Sequence, residues 1–471
     1  MRADLSLVGK ALGAACEAVR PGEAADAVGG TVPAFVAAPS STAQAAALMR
    51  VTAEHDLAVV PRGSGSRLHW GIPPTRCDVV VETIQMGQVI EHAAGDLVAR
   101  VQAGARIGEV AAVLAAAGQE IALDVPPTAT IGGVVADALA GSRRLRYGSP
   151  RDLLIGITVV RADGVVARSG GKVVKNVAGY DLGKLFAGSA GTLGLITEVT
   201  FRLHPLPAAR AWVTADFPGA RDAGGSGGPG SAGGAVGGAA AAVAAAANSP
   251  LVASAVELSR PRPGGPVAVS VLLEGSAAGV TARAASMARL LSLAGSPAPP
   301  DTAPPDTAPP DTAPPDTASA DIGSTSIEIS TAAPSWWGGV PGPGPGAGGA
   351  AGTLLRVTFW VSALGRVLDA IDGAARESGM RPVVHGAAGA GVLSVTLDAD
   401  APPAGVGRLV AAIREAIAPG RGGAVVIAAP GRVRSVMGNE AIPGAGLMRA
   451  VKDQFDPGGR MAPGRLFEGL S

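Results

Sequence analysis

The stretch that decides the fold runs from Glu120 to Pro205: EIALDVPPTATIGGVVADALAGSRRLRYGSPRDLLIGITVVRADGVVARSGGKVVKNVAGYDLGKLFAGSAGTLGLITEVTFRLHP. Glycines recur in it at Gly132, Gly133, Gly141, Gly148, Gly179, Gly188, Gly191 and Gly194, each beside small or polar residues. Glycine suits places where the backbone needs positive φ or where a ligand or second backbone must come close. Between these points the β-branched runs Leu153–Val160 and Leu195–Phe201 read as buried strands. Glycine turns flanked by strands fit a large, flat, phosphate-bearing ligand, and they also fit a glycine-rich scaffold without one.

Upstream, a regular α/β rhythm starts at Val32. Phe35–Pro39 reads as a strand, Ser40, Ser41 or Thr42 can cap a helix over Ala43–His55, and Leu57–Val60 is the next strand. The turn that follows, Pro61–Gly71 (PRGSGSRLHWG), can present consecutive backbone N–H groups as an anion-binding nest, with hydroxyls from Ser64 and Ser66 and charge from Arg62. A lone GxG is weak evidence, because it lacks the helix and acidic residue of a Rossmann fingerprint and the lysine of a P-loop. Val79–Glu82, Leu97–Val101 and the helix Ile107–Ala117 continue the alternation. His69 and His92 have no second histidine or cysteine at metal spacing, so no metal site is expected.

The start of the chain, MRADLSLVGKALGAACEAVR, has charges at Asp4, Lys10 and Glu17 and no clean apolar core of a signal peptide. Leu5, Val8, Leu12, Ala15 and Val19 predict an amphipathic helix ending before Pro21, within an N-terminal segment 1–28. No breaker-free run of about 18 apolar residues follows outside alanine-rich sequence, so no membrane span is expected. The 471 residues carry 38 acidic and 38 basic side chains and only 3% aromatics. That balance argues against nucleic acid and against recruitment by an anionic membrane. Cys16 and Cys77 are too few for a disulfide framework or for an iron–sulfur cluster, which points to a reducing compartment.

Three ordered motifs now stand on the page: PRGSGS, then PPTATIGGVVADALAGSRRLRYGSPRDLLIG, then KNVAGYDLGKLFAGSAGTLGLITEV. Together they resemble the flavin domain of the vanillyl-alcohol-oxidase/PCMH superfamily, in the branch of the glycolate oxidase FAD-binding subunits of the E type. The resemblance covers Thr31–Pro207 and returns in MRAVKDQFDPGGRMAPGRLF, Met448–Phe467. It implies an α+β fold: a two-lobed FAD-binding domain over 29–207, a ferredoxin-like cap over 208–440, and a C-terminal segment 441–471 that rejoins the first domain. It implies that Arg62, Gly63, Ser64, Gly65 and Ser66 wrap the FAD pyrophosphate. Thr130, Gly132, Gly133, Ala136 and Asp137 would line the flavin and ribityl side, Tyr147 and Gly148 would close over the cofactor, and Gly194 and Ile196 would flank the adenine end. Covalent relatives place histidine where Ser66 stands, so the resemblance implies non-covalent FAD.

Beyond Pro207 the composition shifts. Gly and Pro number 69 and 38, more than a fifth of the chain, and three stretches read as disordered insertions: 218–250, 296–322 and 338–352. The middle one holds four tandem PPDTA copies between Pro299 and Ala318, an extended spacer by composition. Between and after them, Val267–Glu274, Thr281–Leu293, Leu354–Val361, Gly365–Ser378, Val392–Leu397, Val406–Ile417 and Ala424–Ala429 alternate strand and helix, which suggests a ferredoxin-like sandwich.

Catalytic relatives have a His-Gly-Asp-Gly-Asn-type turn in the cap. The comparable place here is VVHGAAGAGVLSV, where His385 remains and alanines replace its polar partners. His385 fits a structural role or a catalytic one; Trp336 and Trp337 could cover a ligand or simply pack. Ala462 stands where relatives carry asparagine before Pro463-Gly464. The catalytic group stays unassigned. Two functions remain: a dehydrogenase subunit passing electrons from a small 2-hydroxy acid through FAD to a partner, or a non-catalytic subunit for assembly or electron relay. A stand-alone FAD-linked oxidase of another hydroxy acid or alcohol is the runner-up. The resemblance implies a paralogous FAD-binding catalytic subunit and an iron–sulfur subunit as partners, in the cytoplasm or at the inner face of the cell membrane.

Overall fold

The computed structural model describes residues 5–171, 181–219, 234–294, 325–338, 352–437 and 444–465. The chain divides into two compact units, residues 1–206 with 426–471, and residues 207–425.

The first unit has two lobes. In the N-terminal lobe the strands Val59–Arg62, Val79–Glu82 and Phe35–Ala37 run parallel, and Val19–Pro21 adds an antiparallel edge. Ser41 caps the helix Thr42–Glu54 by accepting from Gln44 N at 3.2 Å. Val8 and Leu12 from the helix Leu5–Ala15 join Leu48, Met49, Val59, Val79 and Val81 in its core. Each such fully buried aliphatic side chain stabilises the fold by about 1.5–3 kcal/mol. The first helix is shorter than its spacing predicts: Val19 is taken by sheet pairing with Ala37, so the helix stops at Ala15.

The second lobe is an antiparallel five-stranded sheet, ordered Val89–Ala93, Val98–Gln102, Leu195–Arg202, Leu154–Val160, Val166–Gly170. The two strands expected around residues 153–160 and 195–201 are therefore direct neighbours at its centre. Ile131, Val134 and Val135 of the short helix Ile131–Ala136 are buried against Val101, Val199 and Phe201 of this sheet. The C-terminal segment rejoins the first lobe beside Val59: Val59 N donates to Arg460 O at 2.8 Å, and Ala462 N donates to Val59 O at 2.8 Å.

The second unit contains an eight-stranded sheet, antiparallel from Ser326–Ser330 through Thr353–Thr358. Its order is Ser326–Ser330, Ala209–Phe217, Val267–Gly275, Ala255–Arg260, Val383–Gly386, Val392–Leu397, Thr353–Thr358, Gly423–Ala428. With the helices Ala235–Ala247, Ala277–Ala294, Leu364–Ser378 and Pro403–Ala416 it reads as two successive βαββαβ units, joined edge to edge between Ala255–Arg260 and Val383–Gly386. The ferredoxin-like expectation thus applies twice.

One part of the insertion expected over 218–250 is corrected. Residues 220–233 lie outside the described residues, but Ala235–Ala247 is a helix with Ala239, Ala242, Val243 and Ala246 buried. Composition signalled low complexity, yet alanine has the best helix propensity, and its small side chain lets helices pack closely. This helix is the first of the two that complete the first βαββαβ unit. The PPDTA copies and most of 338–352 fall outside the described residues.

Candidate cofactor cleft

The strand Val59–Arg62 delivers the chain into the Gly63–Ser66 loop. Arg62 is held back from that loop: its Nη2 donates to Asp26 Oδ1 at 2.7 Å and to Glu82 Oε1 at 2.6 Å. Asp26 is gripped first by Arg20 and then by Arg62, which together hold its carboxyl well below the usual carboxylate range despite burial. The charge expected from Arg62 is therefore neutralised by its own neighbours. Within the loop Gly65 has φ +74°, a left-handed conformation that favours glycine. Ser64 and Ser66 place their hydroxyl oxygens 3.3 Å apart and are exposed or partly exposed.

Gly63 has a different reason. A Cβ there would lie 2.1 Å from Thr130 Oγ1, the side chain that caps Ile131–Ala136 by accepting from Gly133 N at 3.4 Å. Gly132 is likewise needed for packing: its N donates to Ala103 O at 2.7 Å, and a Cβ would sit 2.9 Å from Ala103 Cβ. Gly132 thus lets this helix lie against the sheet, while a Cβ at Gly133 would meet only Thr130 Oγ1, at 3.0 Å. Across from it, Gly188 N and Ala190 N donate to Val135 O and Ala136 O at 3.0 and 2.8 Å, tying the 187–194 loop to the same helix. Lys452 Nζ anchors that loop from the helix Ala445–Phe455, donating to Thr192 O at 2.8 Å, to Met461 O at 2.8 Å and to the Asp456 carboxylate.

These segments line one open cleft. Of the residues singled out in the sequence, Arg62, Gly63, Ser64, Gly65, Ser66, Thr130, Gly132, Gly133, Ala136, Asp137, Gly194 and Ile196 line it. Tyr147 and Gly148 are not in that lining. The Tyr147 ring lies 4.8 Å from His204, with the Arg143 and Arg146 guanidinium groups 5.7 and 5.3 Å from its centroid. Gly148, at φ +85°, turns the chain beside Asp152, 2.5 Å from where a Cβ would stand. The cations beside Tyr147 hold its ring there, and closure of Tyr147 and Gly148 over the cofactor stands as a proposal.

Sequence reasoning missed Arg67, Leu68, Thr83, Ala190, Gly191 and Arg465, all of which line the cleft. The signal for Arg465 was the basic residue after Pro463-Gly464, in a segment noted only for the asparagine it lacks. Ala462 has φ +41° and is buried, a conformation that asparagine tolerates better than alanine, so this substitution leaves local strain. A second cleft on the same loop is lined by Arg62 to Ser66 with Ala25, Gly29, His69 and Arg434.

In the second unit His385 is buried beside Trp336, whose ring centroid is 5.8 Å away, and Trp336 in turn lies 6.4 Å from Trp337. Its Nε2 stands 3.8 Å from Glu257 Oε1, beyond hydrogen-bond reach, while Glu257 Oε2 accepts from Gly338 N at 3.0 Å. Strand register puts Glu257, Ser259, His385 and Ser394 on one face of the sheet, continued by the pairs Thr214–Ser270 and Arg210–Glu274. The sheet therefore carries a polar face opposite its helix-covered apolar one.

Burial pushes the His385 imidazole down to about 4. The unfolded chain, titrating near 6.5, takes up this proton first, so full stability is expected above pH 6.5 and is lost as pH falls toward 4. The loss reaches about 3 kcal/mol at most, and His385→Gln should remove it. Denaturant titrations at pH 7, 5 and 4 measure it. An imidazole resonance titrating above 6.5 would mean that Glu257 holds an imidazolium, and would reverse the expected slope.

A glycine loop, a capped helix and a returning C-terminal segment thus surround one cleft in the first unit. Residues 33–170 match the family model described as FAD binding domain, and residues 346–466 match FAD linked oxidases, C-terminal domain. The chain therefore carries an FAD binding domain and an FAD-linked oxidase C-terminal domain. It is 38% identical over 191 residues to glycolate oxidase subunit GlcD of Bacillus subtilis, a match over 39% of this chain and 40% of that protein. It is 35% identical over 193 residues to a D-lactate dehydrogenase of Archaeoglobus fulgidus, over 40% of this chain and 42% of the relative. The matches thus span about two fifths of these relatives. Among solved structures, p-cresol methylhydroxylase with substrate bound superimposes with a TM-score of 0.67, at 14% identity, over 99% of this chain and 97% of that one. Chitooligosaccharide oxidase does so with a TM-score of 0.62, at 15% identity, over 98% and 99%. At these identities the structural likeness shows the fold.

The lining fits FAD. The Arg465 Nη1 is buried without a hydrogen-bond partner among the described residues, and with Arg62 engaged by Asp26 and Glu82 the cleft still holds Arg67 and Arg465 against one carboxylate, Asp137. Such a surplus suits a pyrophosphate.

Proposed function

We propose that this chain is the FAD-binding subunit, of the E type, in a glycolate oxidase-type 2-hydroxy-acid dehydrogenase complex. The observation that carries the reading is the single cleft built from residues 62–66, 130–137 and 194–196, three motifs far apart in the chain. Backbone N–H groups of Gly63–Ser66 and the Ser64 and Ser66 hydroxyls hold the pyrophosphate, and Thr130 to Asp137 flank the flavin. Bound FAD would supply the redox chemistry, a two-electron oxidation of the hydroxy acid, while the chain's own residues hold and orient it. With Ser66 where covalent relatives have histidine, the cofactor is held non-covalently. GlcD and the D-lactate dehydrogenase, as relatives, support a hydroxy-acid substrate.

The turn after His385, Gly386–Gly391, is GAAGAG and offers no polar side chain to a substrate. That favours turnover with a paralogous catalytic flavoprotein and an iron–sulfur subunit rather than by this chain alone. Among the described residues no helix is long and apolar enough to cross a membrane. We place the assembly in the cytoplasm, reaching the inner face of the membrane only through partners.

The purified chain should carry flavin that acid precipitation releases. Glycolate should bleach it anaerobically only when the partner subunits are present. Bleaching by the chain alone would overturn the subunit reading, and flavin remaining on the precipitated polypeptide would overturn the non-covalent one.

A further inference from the structure

We propose that Arg465, brought in by the C-terminal segment, is the cation that grips the FAD pyrophosphate in this chain. The proposal rests on the FAD reading above and names the residue that supplies the charge for it.

Three arginines line the cleft. Arg62 is engaged by Asp26 and Glu82 on the far side of its strand. Arg67 stacks on Trp70, its guanidinium carbon 5.1 Å from the ring centroid. Arg465 is different. Its side chain is buried, Nη2 donates to Arg67 O at 3.3 Å, and Nη1 has no partner among the described residues. A buried donor on a guanidinium left without an acceptor is costly, and such groups are satisfied by a charged ligand when one is bound. The bond to Arg67 O places the guanidinium at the end of the Gly63–Ser66 loop.

The backbone explains how it gets there. Thr75 N donates to Pro463 O at 2.8 Å, Ile72 N to Arg465 O at 3.2 Å, and Arg465 N to Ala462 O at 3.1 Å. Gly464, at φ +78°, turns the chain where a Cβ would meet Thr75 at 2.8 Å. Residues 459–465 are thus fastened along the first lobe, and the last of them is aimed into the cleft. Burial works against the charge on Arg465, with Asp137 only partly opposing it, as expected of a cation that lacks its anion.

The experiment is cofactor titration of the full-length apoprotein, followed by flavin fluorescence, with FAD, ADP by competition, and riboflavin. Arg465→Gln should weaken FAD and ADP by roughly 10- to 100-fold, the loss of one charge-assisted contact. Riboflavin, which has no phosphate, should be unaffected. Arg465→Lys should fall between, because lysine keeps the charge and loses the planar fork. Apoprotein melting curves show whether each variant folds; if Arg465→Gln does not, the Arg465→Lys result decides. Unchanged FAD affinity in the folded variants overturns the proposal. An equal loss for riboflavin moves Arg465 to the flavin end and also overturns it. Failure of the wild-type apoprotein to bind FAD would instead overturn the FAD reading.

Discussion

Replacing Gly63 and Gly65 together with valine is expected to abolish FAD retention. Gly65 sits at φ +74°, where a β-branched residue is strained. At Gly63 the obstacle is internal, since an added Cβ would fall 2.1 Å from Thr130 Oγ1, so the loop and the capped helix must part. Either movement misaligns the loop's N–H groups. Losing several charge-assisted hydrogen bonds, each worth about 1.5–3 kcal/mol, weakens binding at least a hundredfold. The flavin-to-protein ratio by absorbance measures this, with circular dichroism to confirm folding. His385→Ala, a change in the other unit, should keep the full ratio. A folded double-valine protein with normal flavin content would mean that the pyrophosphate lies elsewhere.

The largest stability effect is expected at Asp372→Ala. Arg260 is 2% exposed and its Nη2 donates to Asp372 Oδ2 at 2.5 Å, joining the strand Ala255–Arg260 to the helix Leu364–Ser378. The Nε and Nη1 atoms of Arg260 are buried without partners among the described residues, so Asp372 is the group that compensates the charge. Removing one member of a buried pair costs about 3–5 kcal/mol, because the other is left charged in a poor solvent. For a unit of this size that lowers the melting temperature by roughly 10 °C. The double variant Arg260→Met, Asp372→Leu should recover most of the loss. A single variant that melts like wild type would show that water reaches Arg260.

The cleft was legible because its parts are local devices. A strand followed by GSGS announces a turn in its own few residues, whereas the Thr130-capped helix Ile131–Ala136 emerged only in the structure. The reasons assigned to those glycines needed the structure. Gly132 and Gly63 serve contacts with Ala103 and Thr130, partners 29 and 67 positions along the chain, rather than the approach of a ligand. The contact of Tyr147 with His204 likewise needed the structure, since 57 positions separate the two rings.

In the second unit the misreading ran the other way. Ala235–Ala247 has a composition shared by flexible linkers and by helices, and only burial against neighbouring elements separates them. Once that helix is counted, two βαββαβ units appear where alternating patterns had suggested a single sandwich.

By itself the sequence determined the elements whose signals are short-range: the β-branched strands, a hydroxyl cap within Ser40–Thr42, and the glycine turns that bear the cofactor motifs. Local backbone preference and side-chain alternation are enough to set these. Tertiary structure decided what depends on distant partners. It turned Val19 from helix to sheet, joined Arg260 to Asp372, engaged Arg62 with Asp26 and Glu82, and brought Arg465 to a loop almost 400 residues earlier. A side chain's charge is useful only where its counter-charges are not already in contact, and that is a property of the packed chain, not of its spacing.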